Sequence, residues 1–236
     1  MFSDLNIKGG SFENNLKLAN EAFGYGWDHV SFSYGHNDFS DALDFKEDLK
    51  SEMDGKISID YTLEIRSNSV NEIRKVSNKF RKKSNCISVV GGDLKINRAA
   101  VENIKIDILS RPYLKRFDSG LNQVLAKEAL KNNVAVELCF KDVLRTYLVP
   151  RAKTISNFRD IFTLYDKFRF PLILSSGSEC IFDIKTPHDF ISFFKHTGLS
   201  DEDIAKSFGN GKNILEFNKN RQNIILKGVR RVDDEA

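Results

Sequence analysis

The densest chemistry-bearing stretch of the chain is SRPYLKRFD (110–118), where Arg111, Lys115 and Arg116 surround Pro112. It follows IDILS (106–110), a short apolar run that reads as a buried strand. Cations placed just beyond a strand end can grip an anion, because a guanidinium forks onto phosphate through two parallel hydrogen bonds. A helix starting nearby would add its free N–H groups to the attraction. The sequence places that helix start at a cap on Asp118 or Ser119, with Leu121, Val124, Leu125 and Ala129 as its apolar stripe. The competing reading is structural: Arg111 pairs inside the fold with a strand-end acid such as Glu137.

Other chemistries are thinly supplied. The chain has 4 histidines, His29, His36, His188 and His196. Only His36 falls near the end of a strand-like run, and His188 and His196 stand too far apart on one helix to chelate together. A metal centre needs several such donors converging on one ion, so no metal is expected. Paired carboxylates for acid–base catalysis are missing, since Glu137 and Asp93 are isolated, and no catalytic residue is assigned. Neither GxGxxG nor GxxxxGK[ST] occurs, and GNG (209–211) reads as a helix C-cap. The 3 cysteines, Cys86, Cys139 and Cys180, are odd in number and form no CxxC, which points to a reducing cytoplasm.

The formal net charge of +3 hides an asymmetry: residues 1–70 carry 13 acids and 6 bases, and residues 71–236 carry 20 acids and 30 bases. Much of the acid lies in 38–54, read as a surface helix, and RKVSNKFRKK (74–83) holds six cations and no acid. Such a dipolar surface suits a polyanion. Lys79, Lys82 and Lys83 are therefore candidate contacts from an outer helix, and Arg66 and Arg98 are candidates near strand ends. No apolar run is long enough to cross a membrane, and MFSDLN lacks a secretory signal pattern.

The elements that must position these residues alternate along the chain. Strand-like runs at 2–7, 29–33, 56–65, 86–92, 106–110, 134–140 and 171–177 are each followed by helical periodicity. Ser11 should cap FENNLKLANEAF, with Phe12, Leu16, Ala19 and Phe23 on its apolar face. Thr186-Pro187 should start a later helix, since proline suits the first helical position. A last pair of helices follows Ser200, and NIILKGVRRV could add a strand. Seven strand–helix units over 236 residues predict a single α/β domain, a TIM-barrel-like (β/α) barrel spanning 1–236. Function in such barrels sits on loops after the strands. Those loops carry Asn6 and Lys8, Ser33 and His36, Arg66, Gly91 to Asp93, Ser110 to Arg116, Glu137, and Ser175 to Gly177. The mouth is basic and hydroxylic.

The segment ILSRPYLKRFDSGLNQVLAKEALKNNVAVEL (108–138) resembles the central motif of the archaeal ribonuclease P protein component 3 family. The eukaryotic counterpart is a subunit of ribonuclease P and ribonuclease MRP. The likeness continues through FPLILSSGSECIFDIKTPHDF (170–190), ILEFNKNR (214–221) and LKGVRRV (226–232), and the element order fits from residue 1 nearly to the end. The resemblance implies a barrel related to the polymerase and histidinol phosphatase superfamily without its metal ligands. Here Asp4-Leu5-Asn6 stands where the metalloenzymes carry His-x-His. It also implies a protein cofactor of an RNA enzyme that removes the 5′ leader of precursor tRNA. Its partners would be the ribonuclease P RNA, precursor tRNA indirectly, protein component 2 and the other protein subunits, with magnesium serving the RNA. Two positions depart from the family: Asn122-Gln123 replaces the usual Asp/Asn-His. A basic segment is reduced to TYLVPRAK (146–153), which leaves Arg151 as its candidate RNA contact.

Overall fold

The computed structural model describes residues 2–219 and 221, together with the backbone of 224–226 and 229–230. In chain order the elements are β1 (Ser3–Lys8), α1 (Phe12–Gly24), β2 (His29–Gly35), α2 (Phe39–Asp44), α3 (Lys46–Glu52), β3 (Ser58–Ile65), α4 (Val70–Phe80) and β4 (Cys86–Val90). They continue with α5 (Leu94–Val101), β5 (Ile108–Ser110), α6 (Gln123–Asn132), β6 (Ala135–Cys139), α7 (Lys141–Leu144), α8 (Leu148–Phe168), β7 (Leu172–Ser175), α9 (Pro187–Thr197) and α10 (Asp201–Lys219). Strands β1 to β7 form one sheet in sequence order with every neighbouring pair parallel. This is the expected TIM-barrel-like arrangement, and it is nearly closed.

Alternation along the strands builds the layers. Val30, Phe32, Tyr34, Tyr61, Leu63, Val136 and Leu138 join the helices in one large core between sheet and outer ring. The intervening positions are small or polar: Ser31, Ser33, Thr62, Glu64, Ser88, Ser110, Glu137 and Ser175, all buried. A second apolar cluster closes the base, where Leu5, Cys86, Ile108, Ala135 and Ile173 meet Ile214 and Leu215 of α10. The seam between β1 and β7 has no ladder of its own. Lys8 N donates to Ser178 O at 2.7 Å across it, and Ser176 N donates to the Asp4 carboxylate at 3.1 Å. Helix α10 covers the same seam, and its Asn210 side chain donates to Leu172 O at 2.9 Å.

Several local expectations change. Residues 209–211 lie inside α10 and cap nothing. A Cβ on Gly211 would sit 3.0 Å from Leu5 Cδ1, so this glycine serves a close helix–strand approach. The same helix replaces the expected last pair. The acidic segment 38–54 divides into α2 and α3 at Phe45, whose ring turns inward to meet Phe12 and Tyr61, each at 6.3 Å. Helix α1 buries Asn15, Leu18, Ala19 and Ala22 and leaves Phe23 exposed. Asn15 is drawn inward because Gly10 N donates to it at 2.9 Å and its own amide donates to the Tyr34 hydroxyl. In the tail, β8 (Ile224–Leu226) and β9 (Val229–Arg230) pair antiparallel with each other, apart from the barrel sheet. The remainder of LKGVRRV lies outside the described residues.

Candidate nucleic-acid interface

The loop from β5 to α6 is built as a rigid knob. Arg111 and Lys115 both hold the left-handed backbone, with φ of 54° and 57°, a conformation that costs non-glycine residues about 1–2 kcal/mol. The buried Asn97 of α5 holds the knob down: its amide donates to Pro112 O at 3.0 Å and Gly120 O at 2.8 Å, while its oxygen accepts from Gly92 N at 3.0 Å. Glycine is required beneath it. A Cβ at Gly120 would lie 2.0 Å from Pro112 O, and one at Gly92 would lie 2.5 Å from Leu114 O.

The helix after this knob starts later than the sequence suggested. Its cap is Asn122, whose side chain accepts from Leu125 N at 2.9 Å. Asp118 cannot cap it because its carboxylate is taken by Arg116, with Nε at 2.5 Å and Nη2 at 2.9 Å, and by Gly120 N. Ser119 Oγ instead donates to Leu121 O. An anion at the α6 N-terminus would therefore meet the end of the knob, not its basic start.

Most strand-end cations already hold carboxylates. Arg111 does not pair with Glu137: its guanidinium grips Asp142 of α7, with Nε at 2.7 Å and Nη2 on the other oxygen. Glu137 meets only the Arg111 backbone, through its carbonyl, and its carboxylate accepts from Asn6 at 3.2 Å. Tyr113 completes the Arg111 network by donating to Asp142 at 2.8 Å and accepting from Cys139 N at 3.1 Å. Burial opposes the Arg111 charge, but the hydrogen-bonded Asp142 carboxylate helps to outweigh it and hold the guanidinium protonated. Lys8 and Arg66 share Glu64. Burial alone would push the Glu64 carboxyl up, yet these two cations bring it below its ordinary range. Lys141 and Arg145 likewise share Glu179, and Arg145 also holds Asp183.

The predicted contacts therefore divide. Arg66, Gly91, Gly92, Asp93 and Lys115 line one groove of about 350 Å³ at the mouth, and Arg116 reaches its rim by donating to Gly92 O at 3.1 Å. Arg98 lies on the outer face of α5 and pairs with Glu102 at 2.6 Å. Arg151 donates to the carbonyls of Val143 and Thr146 at 3.0 and 2.7 Å, fixing the entry to α8. Lys82 and Lys83 follow the C-terminus of α4, beside Arg81, which pairs with Asp107 just before β5. They belong to the base of the barrel, separated from the mouth by the 11 residues of α4, roughly 16 Å of helix. Among the described residues, Lys82, Lys83 and Lys115 make no ion pair or side-chain hydrogen bond.

Among the described residues, no group of three His, Cys, Asp or Glu side chains is placed to hold an ion. At the β1 position that the metalloenzymes use, the Asp4 carboxylate accepts from Asn6 N and Ser176 N, both at 3.1 Å, closing the seam. Burial pushes both the Asp4 and Glu137 carboxyls above their ordinary range.

A seven-stranded (β/α) barrel with a polar interior and a basic knob at its mouth defines the class: a TIM-barrel-like α/β fold. Its fold matches the histidinol phosphate phosphatase of Lactococcus lactis subsp. lactis, solved with zinc, L-histidinol and phosphate, at TM-score 0.55 and 10% identity over 90% of this chain and 93% of that one. A much nearer match, at TM-score 0.84 and 32% identity over 99% of both chains, is a chain in the cryo-EM structure of archaeal ribonuclease P with mature tRNA. Ribonuclease P protein component 3 of Methanothermobacter thermautotrophicus is 38% identical over 97% of this chain and 94% of its own length. The family model for RNase P subunit p30 matches residues 1–223, and the chain belongs to that family.

Proposed function

We propose that this chain is a protein subunit of ribonuclease P, binding the catalytic RNA and assisting removal of the 5′ leader from precursor tRNA. What carries the reading is end-to-end similarity to ribonuclease P protein component 3. The chain contributes to the endoribonuclease as part of the holoenzyme, and the cleavage chemistry resides in the RNA. It binds no cofactor of its own, and magnesium serves the RNA. Its partners are the ribonuclease P RNA, precursor tRNA indirectly, protein component 2 and the remaining protein subunits. Among the described residues no helix is long and apolar enough to cross a membrane. We place the assembly in the cytoplasm.

Within this reading the RNA contact centres on the Arg66–Lys115–Arg116 groove. Lys115 is the strongest of the three because its ammonium is uncommitted and Asn97 holds its loop through Pro112 O and Gly120 O. Arg66 and Arg116 contribute through the groove walls, their carboxylate partners reducing but not cancelling their pull on phosphate. Lys82 and Lys83 offer a second, separate patch at the base, where contact would depend on charge alone. Arg98, Arg111 and Arg151 are committed to the fold and hold the scaffold. The test is reconstituted cleavage of precursor tRNA at limiting magnesium, with and without this protein. Stimulation that requires the RNA supports the reading; metal-dependent phosphoester turnover by the protein alone would replace it with a barrel phosphoesterase.

A further inference from the structure

We propose that Phe117, Tyr147, Leu148 and Val149 form a docking surface for another protein chain, one that presents an apolar segment flanked by Asp or Glu. These side chains are 90%, 72%, 87% and 78% exposed. They belong together: Lys153 Nζ lies 5.8 Å from the Phe117 ring centroid, and Lys153 follows Val149 by one helical turn. Four such side chains offer on the order of 500 Å² of apolar surface, as much as the largest patch on most monomers. With a polar rim, this approaches the roughly 800 Å² per partner of a standard interface.

Both halves of the patch are rigid. The β5–α6 knob is held by Asn97, and Arg151 locks the α8 entry by bonding Val143 O and Thr146 O. Leu148 has a φ of 47° at the start of α8, a costly conformation for a branched side chain. Cations flank the patch, with Lys153 over the Phe117 ring and Arg151 5.1 Å from the Tyr147 ring centroid, so the partner must be acidic at its edges. Nucleic acid is a poorer occupant. Bases stack on aromatic rings and guanidinium planes, and neither Leu148 nor Val149 offers a π face.

The proposal uses the ribonuclease P reading to choose its probe, the full particle assembled from its RNA and protein subunits. Leu148→p-benzoylphenylalanine should crosslink to a second protein subunit on irradiation, while the same group at Lys82 should not give that adduct. An adduct only to RNA, or none at position 148, would overturn the proposal. Independently, the double variant Phe117→Ser/Leu148→Ser should keep its melting temperature and its affinity for the RNA alone. It should enter particles lacking this subunit at least tenfold more weakly. Entry at the parental affinity would refute the surface. If the parental chain neither binds the RNA nor raises cleavage, the functional reading fails, a result distinct from either outcome at position 148.

Discussion

Arg111→Ala separates a structural from an RNA-binding arginine at the barrel mouth. Removing one partner of a buried ion pair costs about 3–5 kcal/mol because the other charge is left desolvated. Here Arg111 and Asp142 are each 12% exposed. Tyr113 still donates to Asp142 at 2.8 Å after the change, so the lower end applies, about 3 kcal/mol. For a chain of this length that lowers the melting temperature by about 6–12 °C. The RNA salt dependence should hardly move, because two guanidinium nitrogens already bond Asp142. Arg111→Lys should recover only part of the loss, since an ammonium cannot fork onto both carboxylate oxygens. The double variant Arg111→Ala/Asp142→Ala should be no less stable than Arg111→Ala, giving a favourable coupling of about 1–3 kcal/mol. Thermal melts and salt-titrated RNA binding are the assays. A melting change below about 2 °C together with a salt slope reduced by about one unit would refute the reasoning and make Arg111 a phosphate ligand.

Lys115→Gly should stabilise the fold by about 0.5–1 kcal/mol, since glycine accepts the left-handed backbone freely, while lowering the RNA salt slope by about one unit or less; melts and binding titrations read the two effects separately. Asn97→Ala leaves two knob carbonyls and Gly92 N without their partner and should cost about 2–4 kcal/mol, with weaker RNA binding although Asn97 touches no ligand. Glu137→Gln should flatten the stability profile on the alkaline side. The Glu137 carboxyl is raised by burial, so the folded state holds a proton that the unfolded chain releases, and this group's stabilisation is lost as pH rises above the ordinary glutamate value, 4.5. Denaturant titrations at stepped pH should show that decline in the parent and not in the variant. Glu64 acts oppositely: its carboxyl sits low, so its contribution is present above that value and lost on acidification.

The sheet was legible because all seven barrel strands are buried on both faces and therefore read as apolar or alternating runs between turn residues. Ser11 and Thr186 cap their helices in a local pattern that needs no tertiary information. What the sequence could not specify depends on distant partners. Asp142 lies 31 residues from Arg111, and nothing near it distinguishes it from any other helix-starting acid. Asn97 resembles an ordinary helix residue. Only the flanking Gly91-Gly92 and Gly120 hint that backbone passes close by. Asp118 failed as a cap because Arg116, two residues earlier, competes for its carboxylate, a contest settled by the geometry of the knob.

The same pairings decide which charged groups at the barrel mouth are already taken. In a hydrolase the strand-end donors must stay free to converge on an ion. In this chain Glu64, Asp142, Glu179 and Asp183 are bound to Lys8, Arg66, Arg111, Lys141 and Arg145. Those pairs tie successive strand ends and loops to one another, so the rim becomes stiff at the expense of reactive groups. A stiff rim is what the knob requires, because Lys115 can hold a fixed position only if the loop beneath it does not yield. The left-handed residues Arg111 and Lys115 store strain that this network and Asn97 retain. The mouth is thus a stiff frame of paired charges on which Lys115 stands without a carboxylate among the described residues.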